Sequence, residues 1–129
     1  MVASTSHAPF VKHPADTAPP LRPAKILSTD EQAINAARAL AAEARRSAAQ
    51  RDSQRQLPWQ AIEQFTQSGL GSISIPRAYG GPQVSFVTIA EVFKIISAAD
   101  PALGQIPQNQ FGIIHVLLNS ARAAEEDPA

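Results

Sequence analysis

Apolar residues recur at helical spacing in four stretches of the chain, which are separated by short segments containing proline or glycine. The first stretch, residues 29–51, is rich in alanine. Its small and apolar residues recur every three or four positions, which predicts a helix with one small-residue face. The face comprises Ile34, Ala37, Ala41, Ala44 and Ala48. Two overlapping patterns fit a capping box at its start, Thr29 with Gln32 and Ser28 with Glu31.

The second stretch, residues 58–68, carries the signals of a short helix at both ends. Pro58 suits the first position of a helix, and Gly69 suits the left-handed residue that ends one. The following residues, Leu70 to Ile75, alternate apolar with small polar side chains but have no second strand with which to pair. We therefore predict an extended connection there.

The last two stretches are the most apolar part of the chain. Residues 84–99 carry only Glu91 and Lys94 as charged positions, which is typical of a buried helix. Residues 101–119 contain Pro107, which lacks a backbone N–H donor and should kink or break a helix. Together the four stretches predict an all-α fold, a small bundle of about four helices.

The two ends of the chain differ in composition from this central region. Residues 1–27 contain Pro9, Pro14, Pro19, Pro20 and Pro23. Closely spaced prolines prevent a helix or a sheet from propagating, so we predict a flexible Pro-rich arm. The arm is either an extension without function or a segment that packs across a partner subunit. Residues 28–120 form the predicted helical domain, and residues 121–129 a solvated tail.

Charge and composition narrow the possible partners. The 11 basic and 11 acidic residues cancel, so no field of one sign favours nucleic acid or a membrane surface as a partner. The absence of cysteine excludes disulfides, zinc–thiolate sites and thiol nucleophiles. No apolar run is long enough to span a bilayer, and the start lacks the pattern of a signal peptide. We therefore expect a cytoplasmic protein.

Two sequence motifs carry a family resemblance. The first is the turn Pro76-Arg77-Ala78-Tyr79-Gly80-Gly81, and the second runs from Asp100-Pro101 to Gln105-Ile106-Pro107-Gln108-Asn109. With the helices that flank them, these motifs resemble the N-terminal helical domain of the acyl-CoA dehydrogenase superfamily. They look most like its flavin-dependent, monooxygenase-like branch, which acts in sulfur acquisition. The resemblance covers about residues 29–120.

The resemblance implies an oxidoreductase lineage that uses FAD or FMN and a small acyl or organosulfur substrate. In such enzymes this domain closes one side of the flavin and substrate cavity, and a β-domain and a C-terminal helical bundle follow it. The sequence given ends at Ala129, so we expect a C-terminally truncated chain that is inactive and binds no flavin by itself. The alternative is a stand-alone helical protein-interaction module. In either case exposed apolar helices should promote self-association.

Four residues are candidates for the substrate cavity: Tyr79, Gln108, Asn109 and Gln110. Amides are costly to bury without partners, and in the resembled family this helix lines the cavity that would supply them. The alternative is that the amides, with Gln105, only cap and solvate the break at Pro107. Tyr79 is either a packing residue or a substrate contact. In the monooxygenase-like relatives a histidine often stands where Gln110 is, and glutamine cannot act as an acid or a base.

Other residues do not form a catalytic or metal site. Gly80 and Gly81 are expected to allow positive φ in the turn. Arg45, Arg46 and Arg51 invite a phosphate-binding interpretation, but Glu43 and Asp52 beside them favour an ordinary solvated face. His115 is expected to be a satisfied or exposed histidine rather than a catalytic one. His7 and His13 lie in the arm and offer no metal geometry.

Overall fold

The computed structural model describes residues 22–126, which form five α-helices and two short 3₁₀-helices without a β-strand. The α-helices are α1 (Asp30–Ser53), α2 (Trp59–Ser68), α3 (Phe86–Ala99), α4 (Pro101–Gln105) and α5 (Gln108–Glu126), and the 3₁₀-helices are Leu70–Ser72 and Arg77–Tyr79. The predicted all-α fold is confirmed in this range. The predicted fourth helix is divided into α4 and α5 because Pro107 lies between them.

Helix α1 begins where the capping pattern predicts. The Thr29 hydroxyl oxygen accepts a hydrogen bond from the backbone N–H of Gln32 at 3.1 Å, and Gln32 Oε1 accepts from the N–H of Ser28 at 2.7 Å. These bonds satisfy backbone donors that a helix start leaves open. The buried face consists of Ala33, Ala37, Leu40, Ala41 and Ala44, while Ile34 and Ala48 are only half-buried. Small residues on this face let α1 pack closely against α3.

Helix α2 ends at Gly69, whose φ of +85° is the predicted left-handed conformation. A Cβ atom at this position would also lie 2.3 Å from the carbonyl oxygen of Lys25, so the glycine lets the preceding segment cross the end of α2. The N–H of Lys25 donates to a carbonyl in the last turn of α2 at 2.9 Å, and Leu27 is buried. Lys25 and Leu27 of the predicted arm therefore contact the domain, and residues 1–21 lie outside the described residues.

The predicted extended connection after α2 is wrong. Leu70–Ser72 form a 3₁₀-helix, and Leu70 and Ile73 are completely buried. The Ser72 hydroxyl donates to the carbonyl oxygen of Gly69 at 3.0 Å. Serine side chains that bond to nearby backbone groups favour turns over strands, and the left-handed Gly69 already reverses the chain. In this segment the alternation of apolar and polar residues therefore arises from tight turns and does not indicate a strand.

One hydrophobic core joins the first four helices and the connection between α2 and α3. Its largest completely buried side chains are Leu70, Ile73, Val92, Ile96 and Leu103. Helix α5 contributes Phe111, whose ring packs edge-to-face on Phe93 with a centroid distance of 5.0 Å. The expectation that α3 is buried all round is wrong, since only Thr88, Val92, Ile96 and Ala99 are buried on it.

Helix α5 is longer than the apolar pattern predicts. It continues to Glu126, whereas the prediction placed the end at residue 119 and a solvated tail from residue 121. The residues from Ala121 to Glu126 are alanine, arginine and glutamate, which favour helix, and no glycine or proline occurs among them. The predicted tail is therefore helical as far as Glu126, and residues 121–125 are exposed.

A buried ion pair joins the end of α1 to the junction of α3 and α4. Arg51 forms it with Asp100, and their side chains are 15% and 7% exposed. Asp100 Oδ1 also accepts from the N–H groups of Ala102 and Leu103, at 3.0 and 3.3 Å, so it caps α4. Arg51 therefore does not belong to the predicted solvated face. In contrast, Arg46 pairs with Glu43 on the exposed surface.

A second carboxylate, that of Asp30, links the starts of α1 and α3. Its Oδ2 accepts from the Thr88 hydroxyl at 2.5 Å and from the hydroxyl and N–H of Ser85 at 3.0 and 3.2 Å. Hydrogen bonds to the charged form, above all that from Thr88, hold the pKa of Asp30 below its usual 3.8.

We expect the lowered pKa of Asp30 to make the stability of the domain depend on pH in the acid range. A group with a depressed folded-state pKa stabilises the fold fully above its unfolded-state value, and this contribution is lost as the pH falls through the folded-state pKa. We expect the urea midpoint of the Asp30→Asn variant to fall less between about pH 6 and about pH 2.5 than that of the original chain. Asp52→Asn, which removes an exposed carboxylate at the other end of α1, should keep the original decline. Identical pH profiles for the two variants would contradict this assignment.

Candidate functional site

The predicted amide residues occupy the first turn of α5, directly after the break at the buried Pro107. Gln108 and Asn109 are exposed, and their side chains form no hydrogen bond with any residue of the described range. The expected break at Pro107 therefore leaves two amides available at the surface. This is an arrangement that could bind a polar group.

The third amide, that of Gln110, has a partner within the domain. Its Nε2 donates to the carbonyl oxygen of Gly71 at 2.7 Å, which ties α5 to the 3₁₀-helix Leu70–Ser72. A Cβ atom at Gly71 would lie 3.2 Å from this nitrogen, so the glycine leaves room for the amide. Gln110 is thus a structural anchor in this arrangement, which sequence reasoning missed because the partner is a backbone carbonyl far away in the chain.

An exposed apolar face of α5 adjoins one of the free amides, that of Asn109. Ile113, Val116 and Leu117 are 60%, 62% and 64% exposed. Asn109, Ile113 and Val116 are spaced by four and three residues, so they share one side of the helix. We call this side, from Asn109 to Leu117, the outer face of α5. It places an amide at the edge of an aliphatic surface and leaves both open to a partner or ligand.

Tyr79 lies on a separate segment, the 3₁₀-helix Arg77–Tyr79, and is 74% exposed. Among the described residues no hydrogen bond joins it to the three amides. Gly80 follows with a φ of +83°, as the turn motif predicts. Gly81 does not have positive φ, and its role is steric, because a Cβ atom there would lie 2.1 Å from the carbonyl oxygen of Ile75.

His115 is exposed, and its ring contacts Phe86 edge-to-face with a centroid distance of 5.5 Å. Its Nε2 lies 3.0 Å from Asn119 Nδ2. Within residues 22–126 no group of histidines and carboxylates could hold a metal ion. His7 and His13 fall outside this range.

Comparison with known proteins identifies the family. The family model described as the N-terminal domain of acyl-CoA dehydrogenase matches residues 28–125, well over half of the chain. The chain belongs to the acyl-CoA dehydrogenase N-terminal domain family. No curated protein and no solved structure matches it. The described part of the chain contains no helix with the length and apolar character needed to cross a membrane.

The match confirms the resemblance carried by the Tyr79-Gly80-Gly81 turn and the segment around Pro107. It extends a few residues beyond the stretch that the motifs covered, to residue 125 within α5. The acyl-CoA dehydrogenase family is flavin-dependent in general. The assignment to its sulfur-acquisition branch and the role of the four candidate residues in the substrate cavity stay predictions.

Proposed function

We propose that this acyl-CoA dehydrogenase N-terminal domain forms one wall of a flavin and substrate cavity. The other walls would come from a β-domain and a C-terminal helical bundle. We further propose that the enzyme belongs to the monooxygenase-like, sulfur-acquisition branch and acts on a small acyl or organosulfur compound in the cytoplasm. The observation that carries the proposal is the outer face of α5, where the free amide of Asn109 adjoins exposed aliphatic side chains.

The residues of this face suit one side of a flavin. The amide of Asn109 on this face can both donate and accept hydrogen bonds, as the polar edge of an isoalloxazine ring requires. The Gln108 amide lies about 100° round the helix from it, at the border of the face. Ile113 and Val116 offer an apolar surface that excludes water from a ring or an acyl chain. A bound FAD or FMN would supply the electron transfer of the reaction, and the residues named here would position substrate and exclude water.

The domain by itself offers a flavin only one side. The outer face is convex because it belongs to a single helix, whereas small-molecule sites enclose most of the ligand surface. We therefore expect the chain alone to be inactive and to retain no flavin. In the absence of covering domains the same apolar face should promote self-association.

The test combines the chain with a separately produced protein that contains the β-domain and C-terminal bundle of a flavin-dependent acyl-CoA dehydrogenase relative. Flavin retained after gel filtration is measured by its absorbance, for FAD and for FMN. We expect the mixture to retain more flavin than either component. Ile113→Asp should abolish this gain, because it places a charge on the outer face. Ile26→Asp is the matched control, since Ile26 is 81% exposed and lies in the segment before α1.

Two results would overturn the proposal. Tight, stoichiometric flavin binding by the chain alone would show that the domain needs no other wall. If the mixture gains no flavin, or gains it equally with Ile113→Asp, the outer face is not part of the cavity. The stand-alone helical interaction module would then be the better explanation of the exposed apolar residues.

A further inference from the structure

The opposite side of α5 borders a groove that the proposed function does not use. This groove, which we call the α3–α5 groove, has a volume of about 340 Å³. One wall is α5 from Phe111 to Arg122, and the other is the start of α3 with residues of the preceding connection. The ring of Phe86 contacts His115, and that of Phe93 contacts Phe111, so the two helices pass each other in opposite directions. The volume lies in the lower part of the range of small-molecule sites.

The groove combines apolar and polar lining residues. The aliphatic and aromatic ones are Val84, Phe86, Ile89, Phe111, Ile114 and Leu118, and the polar ones are Ser74, Gln83, Ser85, His115, Asn119 and Arg122. Those on α5 recur at intervals of three and four residues, so they form a continuous surface on one side of that helix. From Phe111 to Arg122 the helix rises about 16 Å. This length accommodates a short hydrocarbon chain.

The far end of the groove is polar and positively charged. It contains Asn119 and Arg122, and Arg122 is the only charged residue among the described residues that line the groove. Arg122 forms no ion pair with the side chains that the structure describes. The start of α3 does not supply a second anion site, because Ser85 and Asp30 already occupy it.

A hydroxyl group in the wall of the groove is also unused. Ser74 Oγ is buried and has no hydrogen-bond partner among the described residues. Buried hydroxyls normally have one, in the protein or in ordered water. Because the Oγ atom is itself buried, this hydroxyl takes no part in the ligand site proposed below.

We propose that the α3–α5 groove binds a small organic carboxylate with a short hydrocarbon chain. The guanidinium of Arg122 binds the carboxylate, for which its planar fork is suited, and Asn119 donates a further hydrogen bond. The hydrocarbon chain packs on Ile89, Ile114 and Leu118. This site is separate from the proposed flavin cavity, because it lies on the other side of α5 from Ile113 and Val116.

The test measures binding of three compounds to the full chain by isothermal titration calorimetry. Octanoate carries both the charge and the chain, octanamide carries the chain without charge, and acetate carries the charge without the chain. We expect octanoate to bind more tightly than either of the others. Arg122→Gln should weaken octanoate binding by about tenfold, the effect of losing one charge-assisted hydrogen bond. Arg45→Gln, which removes an exposed arginine from α1, should leave it unchanged.

Adjacent leucines provide the control for binding elsewhere on α5. Leu118 lines the groove, whereas Leu117 is 64% exposed on the outer face. Leu118→Asn should weaken octanoate binding, and Leu117→Asn should not. Four results would overturn the proposal: no binding of octanoate, equal binding of octanamide, no effect of Arg122→Gln, or a larger effect of Leu117→Asn than of Leu118→Asn.

Discussion

Replacing Arg51 by methionine is expected to destabilise the domain by about 3–5 kcal/mol, the usual cost of removing one partner of a buried ion pair. The Asp100 carboxylate, 7% exposed, would remain buried without its counter-charge. Its two backbone hydrogen bonds at the start of α4 would not replace the guanidinium. Urea unfolding followed by circular dichroism measures the loss as a shift of the midpoint.

Two further variants make this test specific. Arg46→Met removes the surface pair with Glu43, whose partners are 76% and 45% exposed, and should cost at most about 1 kcal/mol. Adding Asp100→Asn to the Arg51→Met variant should recover much of the loss, because asparagine still caps a helix without carrying charge. Equal losses of stability for Arg51→Met and Arg46→Met would show that the Arg51–Asp100 pair stabilises the domain no more than a surface ion pair does.

The Arg51 pair also shows where sequence reasoning fails. Asp100 is recognisable as a helix cap because capping depends on residues two and three positions away. Its partner lies 49 residues earlier, at the end of α1, among other arginines that are exposed. Nothing in the local pattern distinguishes Arg51 from Arg46. Only the packing of α1 against α3 brings the two charged groups together.

Sequence signals that depend only on residues within one turn are reliable, because no distant partner is involved. The cap at Thr29, the left-handed Gly69 and the break at Pro107 are all predictable, because each depends on groups a few residues apart. The connection from Leu70 to Ile75 is not extended as predicted. There the turn-forming effect of Gly69 and the serines outweighs the alternation of side chains.

The candidate site is predictable in location but not in detail. Two helices that are apolar on most sides have more apolar surface than a small bundle can bury, so some of it must be exposed. The sequence pattern does not show which side of each helix that is. Tertiary packing turns Phe111 inward and Ile113 outward. It also separates Gln110, which binds the backbone at Gly71, from Gln108 and Asn109, which remain free. Three neighbouring amides that look equivalent in sequence therefore have different roles.

Replacing Gly81 by alanine should destabilise the domain by about 3 kcal/mol, at the upper end of the usual cost of overpacking. The new Cβ would lie 2.1 Å from the carbonyl oxygen of Ile75 and 2.5 Å from its Cβ, so the connection must move. That carbonyl accepts a hydrogen bond from the N–H of Gln83 at 3.0 Å, which the movement would disturb. Thermal unfolding followed by circular dichroism measures the loss.

Two other glycines separate the steric effect at Gly81 from the conformational one. Gly80 has open space around it but a φ of +83°, so Gly80→Ala should cost only about 1–2 kcal/mol. Gly112 lies inside α5, and a Cβ atom there would meet no other group within 4 Å, so Gly112→Ala should stabilise the helix by about 0.5–1 kcal/mol. If Gly81→Ala cost less than Gly80→Ala, the close approach to Ile75 could not be the reason for glycine at this position. If the loss of stability decreases in the order Gly81→Ala, Gly80→Ala, Gly112→Ala, the second glycine of the motif is needed for steric fit and the first for its backbone conformation.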